Sequence, residues 1–279
     1  MVELIDVSLS YPLPRKGKAA ALQRVNARFE EGKVSAIIGP SGCGKTSLIK
    51  IMAALIAPDD GVVFMDGSPL KGVSARTAVI FQDYGLLPWK TVRANAELPL
   101  QIFQPRTNTN QHEQKDIREQ QTRGLKKEGR QRVDALLAEF GLAAFAKRYP
   151  HQLSGGMKQR LAIVRALAAE PQLLLMDEPF SSLDALTRED AQVFLLNLQR
   201  ERRLTVIMVT HSIEEAAYLA DTVYVMKGTN PGTITERIAI SRDGDLPQAR
   251  FREESRFQEY CGVLRRALLQ PTAGNGVAS

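Results

Sequence analysis

Few cysteines and no long apolar run are the first features of this 279-residue chain. Its two cysteines, Cys43 and Cys261, are far apart and form no C-x-x-C pair, which excludes a disulfide framework and a zinc site made of thiolates alone. The first residues do not form a secretion signal, and no window reaches the roughly 18 apolar residues that a membrane-spanning helix needs. We therefore expect a protein of a reducing compartment that neither crosses a membrane nor is exported.

Disorder and fibrous structure are excluded by composition. Hydrophobic residues make up 44% of the chain and charged residues 24%, which is ordinary for a globular protein. At roughly 100 to 200 residues per domain, the length predicts one large domain or two modest ones.

Acidic residues are outnumbered, since the formal net charge is +6. An excess of positive charge permits contact with nucleic acid, anionic lipid or a phosphate-bearing ligand. Much of it lies in one polar stretch, at Arg106, Lys115, Arg118, Arg123, Lys126, Lys127, Arg130 and Arg132. Because no aromatic side chains interleave with these residues for base stacking, a solvated surface is the preferred interpretation, and we expect no nucleic-acid partner.

Apolar periodicity predicts alternating strands and helices. Predicted strands are 2–11, 33–39, 62–65, 78–81, 173–176, 205–209 and 223–226, with one or two more after residue 228. Predicted helices are 45–57, 133–140, 156–169, 186–202 and 213–220, with a helical pattern also starting near residue 91. Such alternation indicates an α/β fold with a mostly parallel sheet. The polar stretch 104–127 is predicted to be a flexible insertion, and the tail from residue 271 to be disordered.

The strongest local signal is a phosphate-binding motif, G-x-x-x-x-G-K-[ST], between a predicted strand and a predicted helix. Its glycines let successive backbone N–H groups turn toward an anion, and the following helix adds the positive end of its dipole. The lysine supplies charge for the β- and γ-phosphates, and the threonine supplies a hydroxyl for Mg²⁺. With the serine that follows, the residues are Gly39, Pro40, Ser41, Gly42, Cys43, Gly44, Lys45, Thr46 and Ser47.

A second partner for a metal follows the buried strand 173–176. Asp177 is predicted at the carboxyl end of that strand, where ligands bind in open α/β sheets, and can hold Mg²⁺. Glu178 is suited to polarise a water for attack on the γ-phosphate. Alone, Asp177 would be read as a capping or surface acid, and Glu178 remains open to a structural salt-bridge role.

A third segment, 153–157, is similar to a motif of a known protein family. Leu153-Ser-Gly-Gly-Met157 opens a helix, and Ser154, Gly155 and Gly156 form an anion-ready helix N-terminus. With the phosphate loop and the Asp-Glu strand in this order, the segment resembles the signature of ABC-type ATPases, with Met157 in place of the usual glutamine.

Other motifs of that family follow in the expected order. Gln82 resembles the Q-loop glutamine, which contacts Mg²⁺. The run 181–184 resembles the D-loop and ends at Asp184, with Ser182 where alanine is more usual. His211 resembles the switch histidine at the γ-phosphate, although alone it would be read as a helix-capping residue. Tyr11 stands where the family has an aromatic residue against adenine, with a core or surface tyrosine as the alternative.

The resemblance implies an ATPase that uses ATP and Mg²⁺. Its implied fold is a P-loop NTPase core with a mostly parallel sheet, an antiparallel β subdomain and a helical signature subdomain at about 90–160. The domain is expected to span 2–240, with a partly disordered extension at 241–279. The implied catalytic residues are Lys45, Glu178 and His211, and the metal residues are Thr46, Gln82 and Asp177. Two copies are expected to close head to tail, so that Ser154, Gly155 and Gly156 of one complete the ATP site built on Lys45 and Asp177 of the other. The resemblance also implies that Asp184 is a nucleotide-binding residue.

A narrower resemblance concerns transport. The stretch 81–92 is similar to bacterial importer ATPases for nitrate, sulfonate, taurine and pyrimidine precursors. Leu86, Leu87 and Trp89 are predicted to form an apolar knob that receives a transmembrane permease subunit, unless they pack internally. This implies a peripheral place on the cytoplasmic face of the inner membrane, and indirect work with a solute-binding protein. The alternatives are a soluble ABC-type ATPase acting on nucleic acid or ribosomes, and a non-catalytic nucleotide-binding regulator.

Overall fold

The structure, a computed structural model, describes residues 1–13, 17–102, 115–228, 231–241 and 248–270. The strands in these ranges are β1 (Val2–Pro12), β2 (Lys18–Phe29), β3 (Val34–Ile38), β4 (Asp60–Met65), β5 (Ser68–Pro69), β6 (Thr77–Ile80), β7 (Leu173–Asp177), β8 (Thr205–Thr210), β9 (Thr222–Lys227) and β10 (Thr233–Ala239). The α-helices are α1 (Lys45–Met52), α2 (Val92–Ala96), α3 (Leu98–Ile102), α4 (Lys115–Glu139), α5 (Gly155–Leu167), α6 (Ala185–Arg202), α7 (Ile213–Leu219) and α8 (Ser255–Leu269).

The larger sheet is mostly parallel, as predicted. Its strand order is β10-β9-β3-β8-β7-β6, and only β10 runs antiparallel to its neighbour. Every residue of β3, β7 and β8 is buried, because helices or the second sheet cover both faces. That burial explains why these strands are continuous apolar runs. The carboxyl ends of β6, β7, β8 and β3 meet at one edge.

A second sheet is antiparallel, with the order β2-β1-β4-β5. The antiparallel β subdomain that the family resemblance implied is thereby confirmed, although the sequence pattern predicted neither β2 nor β5. In β2 the alternation is interrupted where Arg24 has a φ angle of 44°, and in β1 Asp6 has a φ angle of 50°. The register between the two strands shifts at these places, and β2 therefore lacks the strict two-residue period that would have predicted it.

Two hydrophobic clusters lie on opposite faces of the larger sheet. Along β3, Ala36 and Ile38 belong to the cluster that includes α5, α6 and α7, whereas Ile37 belongs to the cluster under α1 and the antiparallel sheet. Burial of both faces holds the carboxyl ends of the parallel strands in a fixed arrangement. These ends carry the predicted site residues.

Two helices differ from their predicted lengths. The first ends at Met52 and not at residue 57, because Ala54 adopts a left-handed φ of 56° that a helix cannot contain. The helix predicted over 133–140 begins at Lys115. Residues 115–127, predicted to be part of a flexible insertion, are therefore helical, and the beginning of that insertion lies outside the described residues.

The C-terminal extension contributes to the core, which the sequence did not predict. Helix α8 packs against α7 and buries Phe257, Cys261 and Leu264. Its predicted disordered tail from residue 271 lies outside the described residues. Among the helices of the described ranges, none is both long and apolar enough to cross a membrane.

Candidate functional site

The loop between β3 and α1 has the backbone conformation of an anion-binding loop. Gly42 and Gly44 have φ angles of 82° and 95°, which residues with a side chain rarely adopt. A β-carbon at Gly44 would also lie 2.9 Å from the backbone oxygen of Ala21. Because Gly44 directly precedes α1, the first N–H groups of that helix, which lack helical acceptors, can bind phosphate oxygens.

Lys45 closes this loop from within. Its side chain is nearly buried, with 7% of the residue exposed, and Nζ donates hydrogen bonds to the carbonyl oxygens of Gly39 at 2.8 Å and Pro40 at 2.9 Å. The ammonium group therefore lies inside the predicted phosphate site. Cys43 is buried beside it, and burial raises the pKa of that thiol, so Cys43 is a packing residue at neutral pH. Ser41, by contrast, is exposed at the rim.

Tyr11 lies beside the start of α1. Its hydroxyl is 3.0 Å from Oγ of Ser47, and the tyrosine is 40% exposed. This excludes a buried core role and places an aromatic ring on the flank of the loop. The position fits a ring that stacks on a nucleotide base.

Thr46 and Asp177 are brought together from distant parts of the sequence. The Thr46 hydroxyl donates to Oδ1 of Asp177 at 3.2 Å. Burial raises the pKa of this carboxyl, and the hydrogen bond from Thr46 together with the charge of Lys45 opposes that rise. A hydroxyl and a carboxylate oxygen are ligands that suit Mg²⁺.

Gln82 is exposed two residues after the end of β6. Since β6 pairs in parallel with β7, Gln82 and Asp177 follow neighbouring strands at the same edge. Within the described part of the chain, no hydrogen bond joins Gln82 to Thr46 or Asp177. The structure thus places Gln82 at the edge but outside direct contact.

Glu178 and His211 form a pair beyond the strand ends. Nδ1 of His211 is 3.1 Å from Oε2 of Glu178. The backbone N–H of Glu178 donates to the Val209 oxygen at 3.0 Å, and its φ is 46°, so the chain turns sharply after Asp177. This turn directs the glutamate toward the histidine rather than along the strand.

Three residues around His211 were missed by the sequence analysis. Thr210 donates to a carboxylate oxygen of the buried Glu215 at 2.7 Å and accepts from the N–H of Ser212 at 3.1 Å. Burial raises the pKa of Glu215, against the hydrogen bond from Thr210. The pattern S-x-x-E at 212–215 is a helix-start signal, and Ser212 indeed accepts from the Glu215 N–H at 3.1 Å. This capping fixes the segment that carries His211.

Ser154 begins α5 as predicted and accepts from the N–H of Met157 at 3.3 Å. Ser154 and Gly155 are exposed, and Gly156 is half-buried. Within the described residues, no hydrogen bond joins these three to the loop at Gly39. The exposed helix start is therefore a second, separate surface that can receive an anion from outside the chain.

Asp184 begins α6 and accepts from the N–H of Thr187 at 3.1 Å and from its hydroxyl at 2.8 Å. These bonds, the backbone one first, hold the pKa of the Asp184 carboxyl below its usual value. The side chain is exposed. Its role within one chain is to cap α6, and in the run 181–184 Ser181, Ser182 and Asp184 are exposed whereas Leu183 is buried.

Trp89 is 70% exposed, whereas Leu86 and Leu87 are half-buried. The predicted apolar knob therefore consists mainly of Trp89, and Leu86 packs internally against the core. The fully buried Asn95 holds the loop, since it accepts from the Leu87 N–H at 2.8 Å and donates to the Lys90 oxygen at 2.9 Å.

The sequence was compared with known protein families and curated proteins. Residues 22–181 match the family model described as ABC transporter. The chain is 38% identical over 253 residues to a nitrate import ATP-binding protein of Synechococcus elongatus, an alignment that covers 91% of this chain and 86% of that protein. It is 41% identical over 223 residues to a taurine import ATP-binding protein of Yersinia pestis, which covers 79% of each chain.

The fold has a counterpart among solved structures. A dimeric post-hydrolysis state of an ATP-binding cassette with bound ADP and Pi superposes with a TM-score of 0.70 and 30% sequence identity. The alignment covers 87% of this chain and all of that one. The fold of this chain is thus similar to that of a cassette solved with bound ADP and Pi.

Proposed function

This chain belongs to the ABC transporter family, and we propose that it is the ATP-hydrolysing subunit of an importer for a small anion. It is an ATPase of the ABC type. The single observation that supports the proposed site most directly is the bond between Thr46 and Asp177 beside the buried ammonium of Lys45. A phosphate loop alone binds anions, but the added carboxylate provides for a metal as well.

In the proposed site, ATP binds along the loop and the start of α1. Backbone N–H groups and Lys45 bind the phosphates, while Tyr11 packs against the adenine. Thr46 and Asp177 would hold Mg²⁺, and Gln82, which follows the neighbouring strand β6, would also contact the ion. A magnesium ion bound there would neutralise negative charge on the phosphates. On this side the residues proposed to bind the nucleotide or its magnesium ion are Tyr11, Gly39, Pro40, Ser41, Gly42, Cys43, Gly44, Lys45, Thr46, Ser47 and Gln82; Cys43, whose side chain is buried, would contribute its backbone.

Hydrolysis is assigned to Glu178 and His211. A carboxylate at the edge of the site can accept a proton as water attacks the γ-phosphate. The contact at 3.1 Å fixes the glutamate, and His211 is exposed enough to reach the γ-phosphate itself. Because both side chains are present and paired, a non-catalytic nucleotide-binding regulator is not favoured.

The site is proposed to be completed by a second copy of the chain. Ser154, Gly155 and Gly156 form a helix N-terminus that faces outward, and Asp184 lies at another exposed helix start. In a head-to-tail dimer these residues contact the ATP held by Lys45 of the other copy. The dimeric cassette described above supports this arrangement. ATP then favours the closed pair, and its hydrolysis removes that preference.

Transport requires membrane partners, and Trp89 is the proposed docking residue for a permease subunit. A large aromatic side chain on a firmly held loop is typical of an interface anchor. The relatives named for nitrate and taurine import support a small inorganic or organic anion as cargo. The chain is then peripheral on the cytoplasmic face of the membrane, and a solute-binding protein acts indirectly through the permease.

The test is reconstitution with the membrane proteins encoded beside this chain. We expect phosphate release by the complex in proteoliposomes to rise when nitrate or taurine is supplied with a solute-binding protein. Trp89→Ala should lose the complex, while Leu55→Ala, which alters an exposed leucine on another surface, should retain it. Phosphate release that is indifferent to every membrane partner would refute the importer assignment but leave the ATPase assignment intact.

A further inference from the structure

A hydrogen bond joins the segment that carries Trp89 to the segment that follows Glu178. The hydroxyl of Tyr84 lies 2.7 Å from Oγ of Ser182. Tyr84 is nearly buried, with 6% exposed, and lies between Gln82 and Trp89. Ser182 is the residue at which this D-loop departs from the usual alanine. An alanine has no hydroxyl, so the bond is a property of this chain's own sequence.

On one side of the bond, the loop that carries Tyr84 and Trp89 is braced by hydrogen bonds at both ends. Arg165 of α5 donates to the backbone oxygens of Tyr84 and Gly85, each at 2.6 Å. At the other end of the loop, Asn95 bonds both Leu87 and Lys90. A displacement of Trp89 is therefore passed to Tyr84 through a braced backbone rather than absorbed in between.

On the other side, the run 181–184 is bonded directly to the predicted catalytic residue. The N–H and the hydroxyl of Ser181 both donate to the backbone oxygen of Glu178, at 3.2 Å and 2.9 Å. Arg188 of α6 donates to the Leu183 oxygen at 2.8 Å. Ser182 is thus an exposed residue of a short turn that is anchored at both ends, and Glu178 is one of the anchors.

We propose that Tyr84 and Ser182 are positioning residues that couple the docking segment at Trp89 to the catalytic segment at Glu178. The inference rests on the proposed function, since it assigns Trp89 to a partner and Glu178 to hydrolysis. A partner at Trp89 then changes the position of Glu178 through one side-chain bond. Because coupling between two sites is reciprocal, ATP at the P-loop changes the surroundings of Trp89.

This reciprocity gives a direct test, because Trp89 is the only tryptophan of the chain. The full chain carrying Glu178→Gln, which is expected to retain ATP, is titrated with ATP and Mg²⁺ while acrylamide quenching of Trp89 fluorescence is measured. In this parent, quenching should change on ATP binding. Adding Tyr84→Phe or Ser182→Ala should abolish most of the change, because either substitution removes the hydrogen bond that joins the two segments.

Control variants distinguish loss of the Tyr84–Ser182 hydrogen bond from a general disturbance of the structure. Ser182→Thr keeps a hydroxyl and should restore the response. Ser68→Ala, which removes an exposed hydroxyl on β5 of the antiparallel sheet, should leave the response in place. Tyr84→Phe and Ser182→Ala together should be no worse than either alone, since both remove the same bond. Thermal melting of each variant checks that it folds; if Tyr84→Phe does not, the surface substitutions at Ser182 decide the result.

A full response in Tyr84→Phe and Ser182→Ala, or losses that add in the double variant, would overturn the coupling. Calorimetric ATP binding with no response of Trp89 in the parent would overturn it too, while leaving the proposed function in place. If the parent did not bind ATP, both the coupling and the proposed function would be refuted.

Discussion

His211 contacts Glu178 through Nδ1, 3.1 Å from a carboxylate oxygen, although each residue begins a different β-α connection. The contact arises because β7 and β8 are parallel neighbours in which Asp177 pairs with Val209. The chain turns at Glu178 and at His211 just beyond the last pairs of the two strands. A shared sheet edge thereby brings together the two residues that we propose to be catalytic, which neither segment could do alone.

Replacing Glu178 by glutamine should stop turnover and leave ATP binding intact. Glutamine keeps the shape of the side chain but cannot accept the proton of the attacking water, so we expect phosphate release to fall by about 10²- to 10⁴-fold. The rate and the ATP affinity are measured on the same preparation. Glu201→Gln, at an exposed position of α6, should behave like the unaltered protein. Normal phosphate release by Glu178→Gln would exclude Glu178 as the base.

Lys45→Ala should weaken ATP binding. The ammonium group now bonded to Gly39 and Pro40 would be lost, and a hydrogen bond to a charged group contributes about 1.5 to 3 kcal/mol. We therefore expect an affinity roughly 10- to 100-fold lower by calorimetry. Lys50→Ala, farther along α1, is the matched control, and equal affinities of the two variants would contradict the assignment of the phosphate loop.

Glu215 should make stability depend on pH in a defined direction. Burial raises the pKa of this carboxyl, so the folded protein binds its proton more tightly than the unfolded chain does. The free energy of unfolding should therefore decrease as pH rises from about 4.3, the ordinary glutamate pKa, through the raised value. Urea unfolding at several pH values should show this decrease, and Glu215→Gln should lack it. Glu214→Gln, at an exposed neighbour, should keep it; parallel profiles for Glu215→Gln and the unaltered protein would be inconsistent with a buried, titrating carboxyl.

The C-terminal helix should contribute to the stability of the whole domain. Leu264 on α8 is fully buried, and truncation of a buried leucine to alanine costs about 2 to 5 kcal/mol. Leu269 on the same helix is 77% exposed, so Leu269→Ala should change the free energy of unfolding by less than about 0.5 kcal/mol. Denaturant unfolding distinguishes the two. Equal, small effects would mean that α8 is detached from the core in solution.

Much of the fold was predictable because its central strands are buried on both faces. An apolar run such as β7, closed by Asp177, is recognisable from composition alone. What could not be predicted depends on single backbone angles. Ala54 ends α1 early, and Arg24 breaks the alternation of β2, yet neither residue type signals a left-handed conformation. Helix α8 was missed because its apolar residues can be recognised as core residues only once the helix packs against α7.

In the candidate site, too, some features could be predicted from the sequence and others could not. The glycine loop and the order of motifs were read from local sequence, because backbone shape and charge there are set by adjacent residues. Contacts such as Thr46 with Asp177, or Tyr84 with Ser182, join segments far apart in the chain. Their distances are decided by strand order, which a single sequence does not reveal.

The position of β3 in the middle of the sheet also bears on how the protein is made. Val34 pairs with Val206, so at about 5 to 20 residues per second a ribosome needs roughly 10 to 30 s between the two. Throughout that interval the apolar strand leaving the exit tunnel has no neighbour on either edge. Cotranslational folding therefore cannot complete the nucleotide loop until nearly the whole chain has emerged, and nascent chains of this protein should depend on protection against aggregation.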